Sequence, residues 1–229
     1  MQNGKGVPLD KKGGEEEILK GRLGIDCRPF PPIEFSPIFK PIHSLFLKAY
    51  FPMELLVFPI GEFDIETPID EAQRRQHIRT LETSPGQLRR LVEELRTPQL
   101  DMAIRPGAWT IRQVIHHLPD AHLHGYIRFR WAMTEDHPMI KTYNQDAWAQ
   151  LEDVLDGPIG PPLRLLEALH TRWTSMLFNM EPEEFSRTFQ HPEMGDLSLD
   201  QWLGIYAWHS EHHIAQIRQA MMYHGWVDS

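Results

Sequence analysis

The segment AWHSEHHIAQI, residues 207–217, carries three histidines within five positions. Imidazole nitrogens bind divalent cations, so the first question is which of the three can reach one ion together. Successive residues of an α-helix turn by about 100°, and positions four apart lie only about 40° from one another. With Trp202 as origin, Ile205, Tyr206, His209, His213, Gln216, Ile217 and Ala220 fall within one arc of roughly 120°. His209 and His213 therefore project together from an inward-looking face, while His212 turns aside toward Trp208. Two neutral imidazoles one turn apart can grip a single metal ion. Residue 210 is serine, so the glutamate base of HExxH zinc peptidases is missing. Glu211 points about 200° away from His209 and reads as a solvated acid.

Such a pair alone is a weak signal, more often core histidines than ligands, so a metal needs donors from another helix. The stretch VIHHLPDAHLH, residues 114–124, offers four histidines. On the helical wheel His122 lies nearest the centre of the apolar arc, His117 and His124 sit on one flank, and His116 faces outward. Periodicity thus favours His122 as the inward residue, either a ligand or a buried histidine bonded to a neighbour. Pro119 follows closely. Proline inside a helix costs about 3 kcal/mol or more and unpairs a carbonyl, here that of Ile115, so a kink that displaces His117 is expected.

Four helical segments position these residues. The first spans 70–95, with a break or kink expected at Pro85. The second spans 109–136 with Thr110 as N-cap. The third, 161–180, opens on prolines, which a first turn tolerates. The fourth, 198–225, starts at Ser198 and ends at Gly225. The fold class is all-α, an antiparallel four-helix bundle. The connection 137–160, between the second and third helices, is too long for a bare turn and is expected to hold a short helix and cover a site. Residues 1–52 hold Pro29, Pro31, Pro32, Pro37 and Pro41 without sustained periodicity. They read as a disordered extension or an over-long start, with an ordered appendage as the alternative. Met53 opens the domain, 53–229.

Formal net charge is −9 with neutral histidines, and no dense Lys/Arg block occurs, which argues against nucleic acid as a partner. Cys27 is the single cysteine, so no internal disulfide forms. With no apolar signal segment at the N-terminus, a cytoplasmic location is expected. The most apolar stretch, 42–61, contains Lys48, Pro52 and Glu54 and makes a poor membrane span.

The motifs GAWTIRQVIHHLPDAHLHGYIRFR, KTYNQDAWAQL, LEALHTRW, FQHPEMGDLSL and LGIYAWHSEHHIAQI, with FPIGEFD near the start, resemble in order and spacing the YfiT-type branch of the DinB-like superfamily. The likeness runs from about residue 58 to 226. It implies a four-helix bundle holding one zinc or nickel ion per subunit through three histidines. These correspond to the histidine before Leu in the HHL motif, His117, and the pair His209 and His213. It implies a metal-dependent hydrolase, or a transferase of a low-molecular-weight thiol such as bacillithiol, in a homodimer. At Pro119 relatives usually carry a small helix former.

Three imidazoles leave open positions on the metal, as in catalytic rather than closed structural sites. Such an ion acidifies water for hydrolysis or a thiol for transfer, so the ligands alone do not separate the two chemistries. Asp120 and His170 are the candidate catalytic groups beside the metal. Asp120, Gln113 and Gln216 are candidates to support ligands, with a surface role as the rival. His170 and Trp173 either line the pocket or pack in the core. His191 and Tyr143 are candidate contacts for a small-molecule substrate, with turn and packing roles as rivals. Trp131, Trp202 and Tyr206 are expected in the core. A non-enzymatic metal-binding stress protein is the reading from another class, motivated by the absence of an obvious general base.

Overall fold

A computed structural model describes residues 57–226. The expectations for residues 1–52 and the start at Met53 lie outside the described residues. Four long helices dominate: α1 (Glu71–Val92), α3 (Ile111–Thr134), α6 (Gly160–Leu177) and α7 (Leu199–Tyr223). Short helices α2 (Thr97–Leu100), α4 (Gln145–Trp148) and α5 (Glu152–Leu155) lie in the connections. Three of the long helices begin with reciprocal caps. Asp70, Thr110 and Ser198 each accept from the backbone N–H three residues on, and Gln73, Gln113 and Gln201 return the bond. Each such cap satisfies two of the N–H groups that a helix start leaves without partners.

Neither internal proline ends its helix. Pro85 lies within α1 and Pro119 within α3, both buried and both in uninterrupted helix. The expected break at Pro85 is therefore absent. The local cost of each proline is offset by burial against neighbouring helices, which supplies most helix stability in proteins.

The four helices form a ring in which α1 touches α7 and α6, and α3 touches α6 and α7. Cross-helix contacts give their directions. Arg74 meets Asp200, and Thr80 meets Glu211, so α1 and α7 run parallel. His122 meets His170, and Phe129 meets Trp173, so α3 and α6 also run parallel. The antiparallel seams are α1 with α6, through Leu81–His170 and Arg89–Glu167, and α3 with α7, through His117–His209 and Trp202–Gly125. A parallel neighbour requires the chain to return along the bundle before the next helix begins. That is the task of the connection between α3 and α6, which carries α4 and α5.

Between α6 and α7 the chain forms a 3₁₀ turn (Pro182–Ser186) and a hairpin, β1 (Thr188–His191) paired antiparallel with β2 (Gly195–Ser198). This hairpin, unexpected from the sequence, contains the FQHPEMGDLS motif.

Two apolar clusters fill the bundle. One gathers Phe129, Trp173, Leu203 and Leu81; the other gathers Ile115, Leu118, Ile217 and Leu88. The boundary between them crosses α3 near residue 122, α6 near 170 and α7 between 206 and 214, and there the buried histidines of these helices lie. Trp202 and Tyr206 are buried as expected, but Trp131 is 38% exposed because it lies on the outer face of α3. Among the described residues no helix is long and apolar enough to cross a membrane.

Candidate metal centre

The antiparallel seam of α3 and α7 brings His117, His209 and His213 together, with donor atoms within 4.8 Å of one another. The Nε2 of His209 lies 3.3 Å from Nε2 of His117 and 3.1 Å from Nε2 of His213. All three side chains are buried. Burial drives His117 and His209 far below the ordinary histidine value, helped by the charges their histidine neighbours would carry. It takes His213 to about 4 despite the bond His213 donates to Gln216. The rings are therefore neutral at pH 7, the form that binds metals.

The hydrogen bonds behind the trio select tautomers. His170 Nδ1 faces the backbone carbonyl of Leu81, which can only accept, so Nδ1 carries the proton. That carbonyl is available because Pro85, four residues on, has no N–H to offer it. A neutral His170 then presents Nε2 as acceptor to His122 Nδ1, at 2.9 Å. His122 in turn presents Nε2 as acceptor to His209 Nδ1, at 3.1 Å. His209 is left with a bare Nε2 lone pair aimed at the other two rings. On the far side Gln216 donates through Nε2 to the carbonyl of Val57, at 3.2 Å, so its Oε1 accepts from His213 Nδ1, at 2.9 Å. His213 also keeps a bare Nε2. Trp109 packs against the His117 ring at 4.8 Å.

Lone pairs aimed at one another across about 3 Å repel unless a proton or a cation stands among them. Nitrogens about 2.0–2.1 Å from one tetrahedral ion lie about 3.3 Å apart, close to the spacings seen. The residues present fit a divalent metal, and the trio contains no carboxylate that would close the site.

Several sequence candidates fall elsewhere. His122 is inward, as periodicity required, but its ring is used between His209 and His170. Asp120 is not brought to the trio. It lies only about 60° around the helix from His117 but belongs neither to the trio nor to the cavity lining, and burial with the nearby Asp153 raises its carboxyl to about 6. His170 is buried behind His122 and does not line the cavity, so it can act only through that ring. Gln113 is buried and spends its amide on the Thr110 cap and the Ala149 carbonyl. Gln216, by contrast, supports a ring of the trio. His124 stacks on Tyr143 at 4.2 Å, His212 stacks on Trp208 at 4.5 Å, and Glu211 accepts from Thr80.

A cavity of about 990 Å³ opens onto His117 and His209. Trp202 and Tyr206 form one wall, and Tyr143 and His191 also reach it. The sequence reading passed over Arg128, which lines the same cavity, and the link through Leu81. Arg128 lies eleven residues after His117, a spacing that shares a helix face, and that was its available signal.

Residues 80–217 match the DinB superfamily model. A protein of Oceanobacillus iheyensis named "Putative metal-dependent hydrolase" is 46% identical over 160 residues, covering 70% of this chain and 92% of the relative. A Bacillus cereus protein of the same name is 42% identical over 165 residues, 72% of this chain and 95% of its own. Among solved structures, YfiT from Bacillus subtilis is described as "a probable metal-dependent hydrolase with an unusual four-helix bundle topology". It aligns with a TM-score of 0.73 at 40% identity, covering 76% of this chain and 99% of that chain.

Proposed function

The chain belongs to the DinB superfamily, and on that premise we propose that it is a metal-dependent hydrolase acting on a small molecule. The observation that carries this reading is the convergence of three neutral imidazoles, His117, His209 and His213, at the wall of a cavity. A zinc or nickel ion suits such a nitrogen set, and when bound it would supply Lewis-acid polarisation and acidify a water or thiol that reaches it. The chain's own residues hold the lone pairs of His209 and His213 in register and keep all three rings neutral. Trp202 and Tyr206 exclude bulk water from one side of the site. The size of the cavity supports a small-molecule substrate, and the net charge of −9 weighs against nucleic acid. A cytoplasmic homodimer belongs to the same reading on family resemblance.

Transfer of a low-molecular-weight thiol is the second reading, favoured by the absence of a carboxylate from the trio. A thiolate is itself the nucleophile and requires no base once formed. The test is elemental analysis of untagged wild type, His117→Ala and His209→Ala, followed by substrate screening with and without thiols. About one zinc or nickel per chain, lost in both variants, supports the metal site. Turnover without thiol supports hydrolysis, and strict thiol dependence supports transfer. Absence of metal, and failure to load it, sinks both and leaves a binding scaffold.

A further inference from the structure

Arg128 stands on the same helix face as His117, since eleven steps of about 100° bring a helix back to within about 20° of its start. Their Cα atoms are about 16 Å apart along α3, and the arginine stem leans back toward the N-terminal end, as helix side chains do. Both residues line the one cavity. The arginine is 5% exposed, yet among the described residues no carboxylate lies within ion-pair distance of it. One guanidinium nitrogen donates to the Lys141 carbonyl at 2.6 Å, the group also lies against the Tyr206 hydroxyl and 5.6 Å from the Trp202 ring, and Nε has no acceptor. Arginine is almost never buried without an anionic partner.

Two further donors belong to residues that line the same cavity. The Tyr143 hydroxyl is buried without a partner, on a ring clamped against His124 and Trp148. Burial pushes that phenol upward, so it keeps its proton. His191 Nδ1 accepts from the backbone N–H groups of Glu193 and Met194, at 3.2 and 3.3 Å. Its neutral ring therefore carries the remaining proton on Nε2. Two carboxylates also line the cavity, Glu193 at its exposed lip and the half-buried Asp146.

We propose that Arg128 and the Tyr143 hydroxyl, with His191 beside them, form an oxyanion-binding subsite, so that the substrate carries a carboxylate remote from its reacting atom. One formal positive charge with neutral donors, in a cavity that the Asp146 and Glu193 carboxylates also line, matches a monoanion better than a dianionic phosphate. The subsite rests on the proposed metal-dependent reading for its partner site, which lies farther along the same cavity.

The test loads wild type, Arg128→Met and Arg128→Lys with cobalt and titrates each with a homologous series of ω-mercaptocarboxylates and their neutral primary amides. Thiolate-to-cobalt absorption reports binding. At the best chain length wild type is expected to prefer the acid by about tenfold or more, as for hydrogen bonds to charged groups. Arg128→Met is expected to lose that preference without losing affinity for the amide, and Arg128→Lys to retain part of it. Equal binding of acid and amide at every length, or a preference that survives in Arg128→Met, overturns the subsite. Metal-free protein titrated with adipate, followed through the Arg128 Nε–H resonance, separates the two failures. No cobalt binding with a carboxylate-dependent shift refutes the metal reading alone. An unmoved resonance, with inorganic phosphate also tried, refutes the subsite.

Discussion

His170 lies behind the three clustered histidines, yet its replacement by leucine is expected to weaken metal binding. The substitution removes the acceptor of the His122 Nδ1–H and leaves the Leu81 carbonyl with only the long 3.5 Å bond from the Ser84 hydroxyl. An orphaned buried group costs about 1–3 kcal/mol and a weakened bond less, so the fold should lose about 1–4 kcal/mol in urea denaturation. His122 is then no longer held with Nε2 bare, and His209 no longer has a fixed acceptor for its Nδ1 proton. His209 can then place its proton on Nε2, which blocks the lone pair aimed at the other rings. Loss of an outer partner of this kind typically lowers metal affinity about 10–100-fold. His170→Gln offers a carbonyl oxygen to His122 and an N–H to Leu81, so it should recover much of both losses. Competition against a zinc chelator measures the affinity, and long-range ¹H–¹⁵N correlation of the histidine rings reports the His209 tautomer. A folded His170→Leu protein that binds zinc as tightly as wild type, with His209 still protonated on Nδ1, would refute the relay.

Two other perturbations test the surroundings of the site. Burial lowers His170 and His213 from 6.5 to about 4, so the unfolded chain takes up protons first as pH falls; the stability of the metal-free protein should be whole above about pH 6.5 and drop by about 5 kcal/mol from these two groups by about pH 4.5. Flat stability across that window, measured by urea titration at each pH, would contradict their buried neutral state. A Cβ at Gly125 would lie 2.4–2.8 Å from the Tyr206 ring, so Gly125→Ala should cost about 1–3 kcal/mol through overpacking and push Tyr206 from the cavity wall. Unchanged stability and an unchanged Tyr206 environment by NMR would show that the ring yields freely.

Much of this architecture is local and was legible in the sequence. The starts of α3 and α7 follow from Thr110 and Ser198, whose side chains satisfy N–H groups within one turn. The convergence of His209 with His213 follows from helical pitch alone, as does the turning aside of His212 toward Trp208. The family likeness added His117, a choice that periodicity did not make: the wheel favoured His122, and His122 is indeed inward. Which inward or flanking histidine meets the pair on α7 depends on the phase and register of one helix against another. That is a packing outcome, with no counterpart in spacing along one chain segment. The same reason hid the parallel pairing of α1 with α7 and of α3 with α6. It also hid the role of Pro85: a proline in mid-helix reads as a break, and only the neighbouring α6 shows that the carbonyl it frees is the acceptor for His170. Arg128 looks like a solvated cation in the sequence, because nothing local records that the helices around it close over its guanidinium without supplying a carboxylate.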